Sequence, residues 1–436
     1  MTQQTASKKV INGWAMYDWA NSVYNLVITT TFFPIYFLAV TSDRADHKVT
    51  FLGREFVNSS LYDYVLAVAY LFIALLYPIL TSIADTRGNK KNFMRFFCYM
   101  GALGCSALFF FKGDTLGLGV FAFMLAAMGY VGSLVFYNAY LPEIAAPQDR
   151  DRISARGYSF GYIGSVIMQI VGFALILIMT DQGFATRLTF LLVGIWWFAF
   201  AQVSFSRLPE SSSKPEKKGN VIKEGFREIS KVYAEIKKMP VLKRFLRGFF
   251  FYSMGVQTVM LAATIFGSKL LKLPDTNLII TVVIIQVVAI LGAWGMSKLS
   301  AVFGNLKVLL AVIIFWIAIC VLAYYTAVLA EGGLNAEYLF YGLAVLVGLV
   351  MGGIQALSRS TYAKLMPPTK DTASFFSYYD FTEKLAIVIG IFTFGRIEEV
   401  TGSMKNSVLS LIVFFAIGFF WLYAALHKEK QNHLAS

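Results

Sequence analysis

The chain is poor in charge, cysteine and histidine. Only 14% of its 436 residues are charged, and it has three cysteines and three histidines. Cys98, Cys105 and Cys320 lie inside apolar runs without CxxC spacing, so neither a disulfide framework nor a metal site is implied. His47, His427 and His433 lie outside those runs, which removes any proton relay through an intramembrane imidazole. No GxxxxGKS or GxxxxGKT loop occurs, so nothing supports direct drive by ATP. Neither a nucleophile motif nor a His/Asp metal spacing supports a membrane enzyme, and no cofactor is expected. With 57% apolar residues and a mean hydropathy of +0.63, a soluble globular domain is excluded.

What the sequence does have is long apolar runs. Twelve fall near 14–40, 61–84, 93–111, 116–140, 154–180, 187–206, 246–270, 277–299, 307–329, 336–358, 374–397 and 406–426. Each has about the 20 residues that a helix needs to cross a bilayer. The first run is too long for a signal-peptide core, so it is expected to remain in the mature protein. Alternate loops differ sharply in charge. One side, with both termini, holds 28 Lys/Arg and the other nine; Lys384, inside a run, completes the 38. The positive-inside rule predicts cytoplasmic termini and a cell (inner) membrane location. The formal charge of +13 has the same origin, so nucleic acid is not an expected partner. The expected fold is an all-α membrane protein of twelve transmembrane helices.

One hydrophilic stretch, 207–245, divides the chain into six-helix sets at 1–206 and 246–436. It opens as a Pro/Ser/Lys linker. Val221, Ile222, Phe226, Ile229, Val232, Tyr233 and Ile236 then recur at helical spacing, which predicts an amphipathic helix on the inner membrane surface; a solvated linker helix is the alternative. The segments after runs four and ten share a layout of Pro, polar turn and next span, and Pro147 and Pro368 stand 221 residues apart. Two pseudo-repeats of this kind are a habit of secondary transporters.

Polar residues inside the runs mark candidate sites, because charge in a bilayer must face water or a partner. In the first run Asp18, Ser22 and Asn25 form a stripe at i, i+4 and i+7, with Asn21 beside it. The stripe reads equally as a cavity wall or as a hydrogen-bonded helix seam. In the eleventh run Asp380 and Lys384 are spaced to pair at i, i+4, and Glu383 lies about 14 Å into the span. Two acids with one Lys make this group a candidate for ion coupling, a paired structural network being the alternative. In the tenth run Gln355 and Arg359 share a face below Gly348, Gly352 and Gly353. Arg359 is suited to hold an anionic group or to neutralise Asp380 and Glu383; an unliganded positive-inside Arg is an equal alternative. Tyr137, Asn138, Tyr252 and Gln257 are further cavity candidates. Asp18 facing Arg359 would suit a zwitterion, or the two would form an inner gate. The abundant Phe and Tyr read as lipid-facing filling and interfacial belts.

The loop after the second run, TSIADTRGNKK, resembles the signature G-x-x-x-D-R-x-G-R-R/K of the major facilitator superfamily through Asp85, Gly88 and Lys90, with Thr81, Thr86 and Asn89 departing from it. That resemblance implies a conformational latch. The segments GWAMYDWANSVYNLVITTTFFPIYF, YNAYLPEIAAPQDRDRISARGYSFGYIG and GGIQALSRSTYAKLMPPTKDTASFFSYYDFTEKLAIVIG are similar to the vacuole-effluxer family of that superfamily. Met254 stands where members often carry an acid. The resemblance implies a major facilitator fold and, more distantly, amino-acid cargo. The expected function is a proton-coupled secondary transporter for a small polar solute, acting by alternating access as a monomer in the lipid bilayer. A sugar or lipid carrier of the same fold, or a non-transporting scaffold or receptor, are the alternatives.

Overall fold

A computed structural model describes residues 4–41, 48–210 and 221–435. The linker portion 211–220 and His47 lie outside the described residues, as do the side chains of Val221, Ile222, Phe226, Ile229 and His433. The chain is almost entirely helical: α1 (Lys8–Val40), α2 (Asn58–Arg87), α3 (Lys90–Ala107), α4 (Leu116–Ile144), α5 (Arg150–Ile178), α6 (Gln182–Arg207), α7 (Val221–Lys238), α8 (Pro240–Lys269), α9 (Asp275–Phe303), α10 (Asn305–Glu331), α11 (Glu337–Leu365), α12 (Thr372–Thr401) and α13 (Met404–Ala435). A bilayer offers no water to backbone groups, so apolar runs of this length must satisfy them internally as helices. Eleven of these helices are long and apolar enough to cross a membrane. The twelfth, α12, is diluted by Asp380, Glu383, Lys384, Arg396, Glu398 and Glu399, yet its 30 residues span about 45 Å.

Between α1 and α2 a small hairpin pairs β1 (Lys48–Phe51) with β2 (Arg54–Val57). Its two-residue turn, Leu52 and Gly53, takes φ of 48° and 75°, the left-handed pair that suits a tight hairpin.

Among residues 4–207, α1 packs on α5 and α6, α3 on α4 and α6, and α2 on α4. Among residues 240–435, α9 packs on α11, α8 on α13 and α12, and α10 on α13 and α11. The sets meet where α9 and α11 lie on α5, and where α12 lies on α2 and α4. The α9–α11 crossing depends on glycine: a Cβ at Gly352 would sit 2.0 Å from the Ala289 carbonyl oxygen, and one at Gly292 2.0 Å from that of Leu349. Small residues permit such backbone approach in membrane proteins. The tyrosines are not mainly peripheral: Tyr17, Tyr24, Tyr77, Tyr137, Tyr140, Tyr252 and Tyr362 are fully buried. Lipid-facing filling falls instead to residues such as Phe72, Leu75, Phe121, Leu177 and Phe392.

Two local features position the site. The stretch Tyr24–Phe32 of α1 is wound as a wide π-type helix. Pro34 has no N–H to offer the preceding turn, and the Tyr62 hydroxyl donates to the Thr29 carbonyl at 2.7 Å in its place. The Leu26 carbonyl accepts from Thr30 Oγ1, Thr31 Oγ1 and Gln169 Nε2 at 2.8–3.0 Å. Second, α7 packs against α2. Val232 and Ile236 of its apolar face are buried, while Tyr233 remains 48% exposed. Val232 and Ile236 therefore make protein contact; the rest of the apolar face lies outside the described side chains apart from Tyr233. Lys231 joins α7 to the α11–α12 loop through Asp371 at 3.5 Å.

Candidate functional site

A cavity of about 100 Å³ lies between the two sets of helices. The α1 stripe faces it: Asp18, Ser22 and Asn25 all line its wall, followed by Thr29 and Thr30 of the wide turn. Asn138, Gln257, Gln355, Arg359, Asp380, Glu383 and Lys384 line it from α4, α8, α11 and α12. Three of the residues singled out from the sequence do not. Asn21 is buried beside the stripe with Nδ2 unpartnered. Tyr137 stands behind Asp18 and donates to its Oδ2 at 2.6 Å. Tyr252 shares a 2.7 Å hydrogen bond with Ser358. Five tyrosines that sequence reasoning missed, Tyr70, Tyr130, Tyr158, Tyr162 and Tyr379, complete the wall. No sequence signal separates a cavity-facing tyrosine from an interfacial one.

The floor is an ion pair. Arg359 reaches Asp18 Oδ2 through Nη2 at 3.2 Å and Nη1 at 3.3 Å, with both side chains nearly inaccessible. Its Nε donates to Ser154 Oγ at 3.0 Å and its Nη2 to the Ser154 carbonyl at 2.9 Å. The guanidinium lies 4.2 Å from the Tyr158 ring centroid and 4.7 Å from that of Trp14. A planar fork satisfied along its edge and stacked on its faces is an arrangement that lysine cannot reproduce. Arg359 thus neutralises Asp18, and neither Asp380 nor Glu383 lies within ion-pair distance of it, so that expectation is corrected.

The floor also depends on Gly157. A Cβ there would lie 2.5 Å from Asp18 Oδ2 and 2.9 Å from Arg359 Nη2. Gly157→Ala is therefore expected to loosen the pair by ~1–3 kcal/mol, the usual result of overpacking, and to cut transport about tenfold or more while the protein still folds. Wild-type transport rates in the variant would show that the contact is not sensitive to crowding.

In α12 the expected Asp380–Lys384 pair is replaced by another. Lys384 Nζ bonds Glu383 Oε2 at 2.6 Å, and Gln257 Nε2 donates to Glu383 Oε1 at 3.3 Å. Among the described residues Asp380 receives only the Asn138 amide, at 3.1 Å on Oδ1. The Asn138 carbonyl oxygen accepts from Arg359 Nη1 at 3.4 Å, so one asparagine bridges the floor pair and the α12 acids. Tyr162 donates to Gln355 Oε1 at 2.8 Å, which fixes that amide at the wall.

Beyond the floor, toward the end carrying the basic loops, two polar knots join the sets. In the first, Asp85 caps α12: Oδ2 accepts from the Ser374 N–H and Oγ at 2.8 Å each, and Oδ1 from the Ala373 N–H at 3.3 Å. A carboxylate on a helix N-terminus meets both unpaired N–H groups and the favourable end of the dipole. Gly88, at φ 66°, turns the chain from α2 into α3. Lys90 then bonds Thr372 Oγ1 at 2.7 Å and the Glu143 carboxylate. The second knot went unnoticed in the sequence. Asp151 pairs with Lys364 at 2.5 Å and accepts from Ser300 Oγ at 2.9 Å and Asn305 Nδ2 at 2.7 Å. Arg150 donates to the Ala363 carbonyl at 2.6 Å. The cavity is therefore sealed at its basic end. Among the described residues no cluster of His, Cys, Asp or Glu able to hold a metal occurs.

A charged cavity between two six-helix sets, closed at one end by bonds across the sets, defines a membrane transporter of the major facilitator type. The fold agrees with that of the human organic anion transporter MFSD10 (TETRAN), with a TM-score of 0.72 over 96% of this chain and all of that one, at 12% identity. The chain belongs to the vacuole effluxer Atg22-like family, whose model matches residues 6–434. It is 31% identical to YxiO of Bacillus subtilis (strain 168), an MFS-type transporter, over 93% of this chain and 92% of the relative. It is 23% identical to autophagy-related protein 22-1 of Penicillium rubens, over 93% of this chain and 88% of the relative. It is accordingly a multi-pass membrane protein and a transporter, not an enzyme.

Proposed function

We propose that this transporter moves amino acids or closely related small polar metabolites by alternating access, outward from the cytoplasm, with protons as the coupling ion. The reading rests above all on the cavity, where five charged side chains meet amide and hydroxyl groups between the two sets of helices. In this reading 1–206 and 246–436 are two bundles that rock about the cavity, 207–245 is the cytoplasmic connector, and the protein acts as a monomer in the cell (inner) membrane. Asn25, Asn138, Gln257 and Gln355 meet the cargo. Asp18 and Arg359 form the inner gate, because they neutralise each other and lie at the closed end. Asp85, Gly88 and Lys90 form a latch that holds this state. The 28-to-9 asymmetry of basic residues supports cytoplasmic termini. A phosphatase fused after Ser436 should stay inactive outside the cell; activity there would reverse the orientation.

Proton coupling is assigned to the cluster of Asp380, Glu383 and Lys384, with Glu383 as the carrier. Its carboxylate touches Lys384 and Gln257 at the cavity wall, so gain of a proton would release Lys384 and recast the charge pattern facing the cargo. Reconstituted protein should accumulate amino acids in liposomes on an imposed pH gradient. Glu383→Gln should abolish that accumulation and leave cargo-for-cargo exchange within about twofold, since a neutral amide removes the titration and little volume. Undiminished accumulation by the variant would move the proton site elsewhere, and no accumulation of any amino acid by the wild type would sink the cargo assignment.

A further inference from the structure

The cavity wall carries more acids than bases. Among the described residues Asp18, Asp380 and Glu383 face it with Arg359 and Lys384, so three acidic side chains meet two basic ones. The pairing says where the excess lies. Arg359 is committed to Asp18 at 3.2 Å and Lys384 to Glu383 at 2.6 Å. Asp380, only 1% exposed, has no ion-pair partner among the described residues, and its Oδ2 has no hydrogen-bond partner among them. A buried carboxylate without a counter-charge is costly, and the cost falls when a cation comes to it. Five tyrosines share the same wall, and ring faces of this kind favour a cationic group over an anionic one.

We infer that Asp380 is the ammonium anchor of the transported solute, and that the cavity selects primary amines protonated at neutral pH, whether zwitterionic or net positive, over carboxylic acids lacking an amine. This deepens the amino-acid reading and rests on the cavity being the cargo site. The Asn138 amide on Oδ1 holds the carboxylate so that Oδ2 remains for the incoming N–H group. An amine entering there supplies a positive group beside Asp380 and the bond that Oδ2 lacks. The cargo's own carboxylate is the less demanding end, because both cations of the wall are already engaged.

The test compares three probe sets on the purified full-length protein by ligand-induced shift of the melting temperature. One set is the twenty amino acids, a second their methyl esters, which keep the amine and lose the carboxylate, and a third their N-acetyl derivatives, which lose the amine. Esters of the amino acids that bind should also bind, and their N-acetyl forms should not. Asp380→Asn should raise the half-saturating ester concentration about tenfold or more, the loss expected for a bond to a charged group, without lowering the unliganded melting temperature. Asp380→Glu should keep a measurable shift. N-acetyl derivatives binding as well as esters to the wild type would overturn the anchor without any variant and leave the amino-acid reading standing. So would an unchanged ester affinity in Asp380→Asn. If no amino acid or ester binds, n-butylammonium decides: binding that Asp380→Asn loses keeps the anchor and discards amino acids as cargo, and no binding discards both.

Discussion

Replacing Arg359 with alanine is expected to lower transport at least a hundredfold and to destabilise the protein by ~3–5 kcal/mol, the range for removing one partner of a buried pair. The loss is compound. Asp18 would keep only the Tyr137 hydroxyl as a hydrogen-bond partner, and the faces of Trp14 and Tyr158 would lose the guanidinium stacked on them. Ser154 would lose two of its contacts. Arg359→Lys separates gate from cargo site. As a gate, the change should leave the affinity for cargo within about twofold and increase labelling from the basic side, because a point charge holds Asp18 less rigidly than a fork. As a cargo contact, it should weaken affinity severalfold with labelling unchanged. Impermeant maleimide on a cysteine placed at Ser377, with the three native cysteines replaced by alanine, provides the labelling readout.

Asp85→Ala should have the second largest effect. Three donors of the first turn of α12 lose their acceptor, and Lys90 loses the Asp85 carboxylate 3.8 Å away, keeping Glu143. A lost N-cap costs ~0.5–2 kcal/mol, and a buried charge raises that. Because these bonds cross between the two sets, the loss falls on the closed state and not on either set alone. The ratio of open to closed basic end should rise about tenfold or more, with cargo affinity little changed. If labelling at Ser377 and the transport rate both match the wild type, Asp85 is not a latch.

Much of this was legible in the sequence. The run of apolar segments gave the helices, because length and hydropathy are local properties. The stripe of Asp18, Ser22 and Asn25 was legible because helical spacing alone puts the three on one face, and all three line the cavity. Asp85 was legible through the resemblance of its loop to the superfamily signature, which implied a latch but not the helix it caps. Partner choice was harder to read. Spacing favoured Asp380 with Lys384, yet Lys384 turns to Glu383 and Asp380 is met by Asn138, 242 residues away in the chain. Arg359 and Asp18 are 341 residues apart. No local rule reports on contacts of that separation. Gly157 looked like any other helical glycine until the carboxylate and guanidinium beside it were located. The Asp151 knot was missed because its partners Ser300, Asn305 and Lys364 lie 149 to 213 residues away in the chain.

The two knots at the basic end have a consequence for the medium the protein works in. Asp85, Lys90, Asp151 and Arg150 are each less than a tenth exposed while that end is closed. Opening it hands every one of these groups to water, so the closed-to-open step takes up solvent. Solutes excluded from protein surfaces, such as sucrose, oppose such uptake. If the basic end faces the cytoplasm, as proposed, the conformational balance is tied to osmotic pressure on that side, and a cell that concentrates its cytoplasm would push the carrier toward its sealed form without any ligand bound.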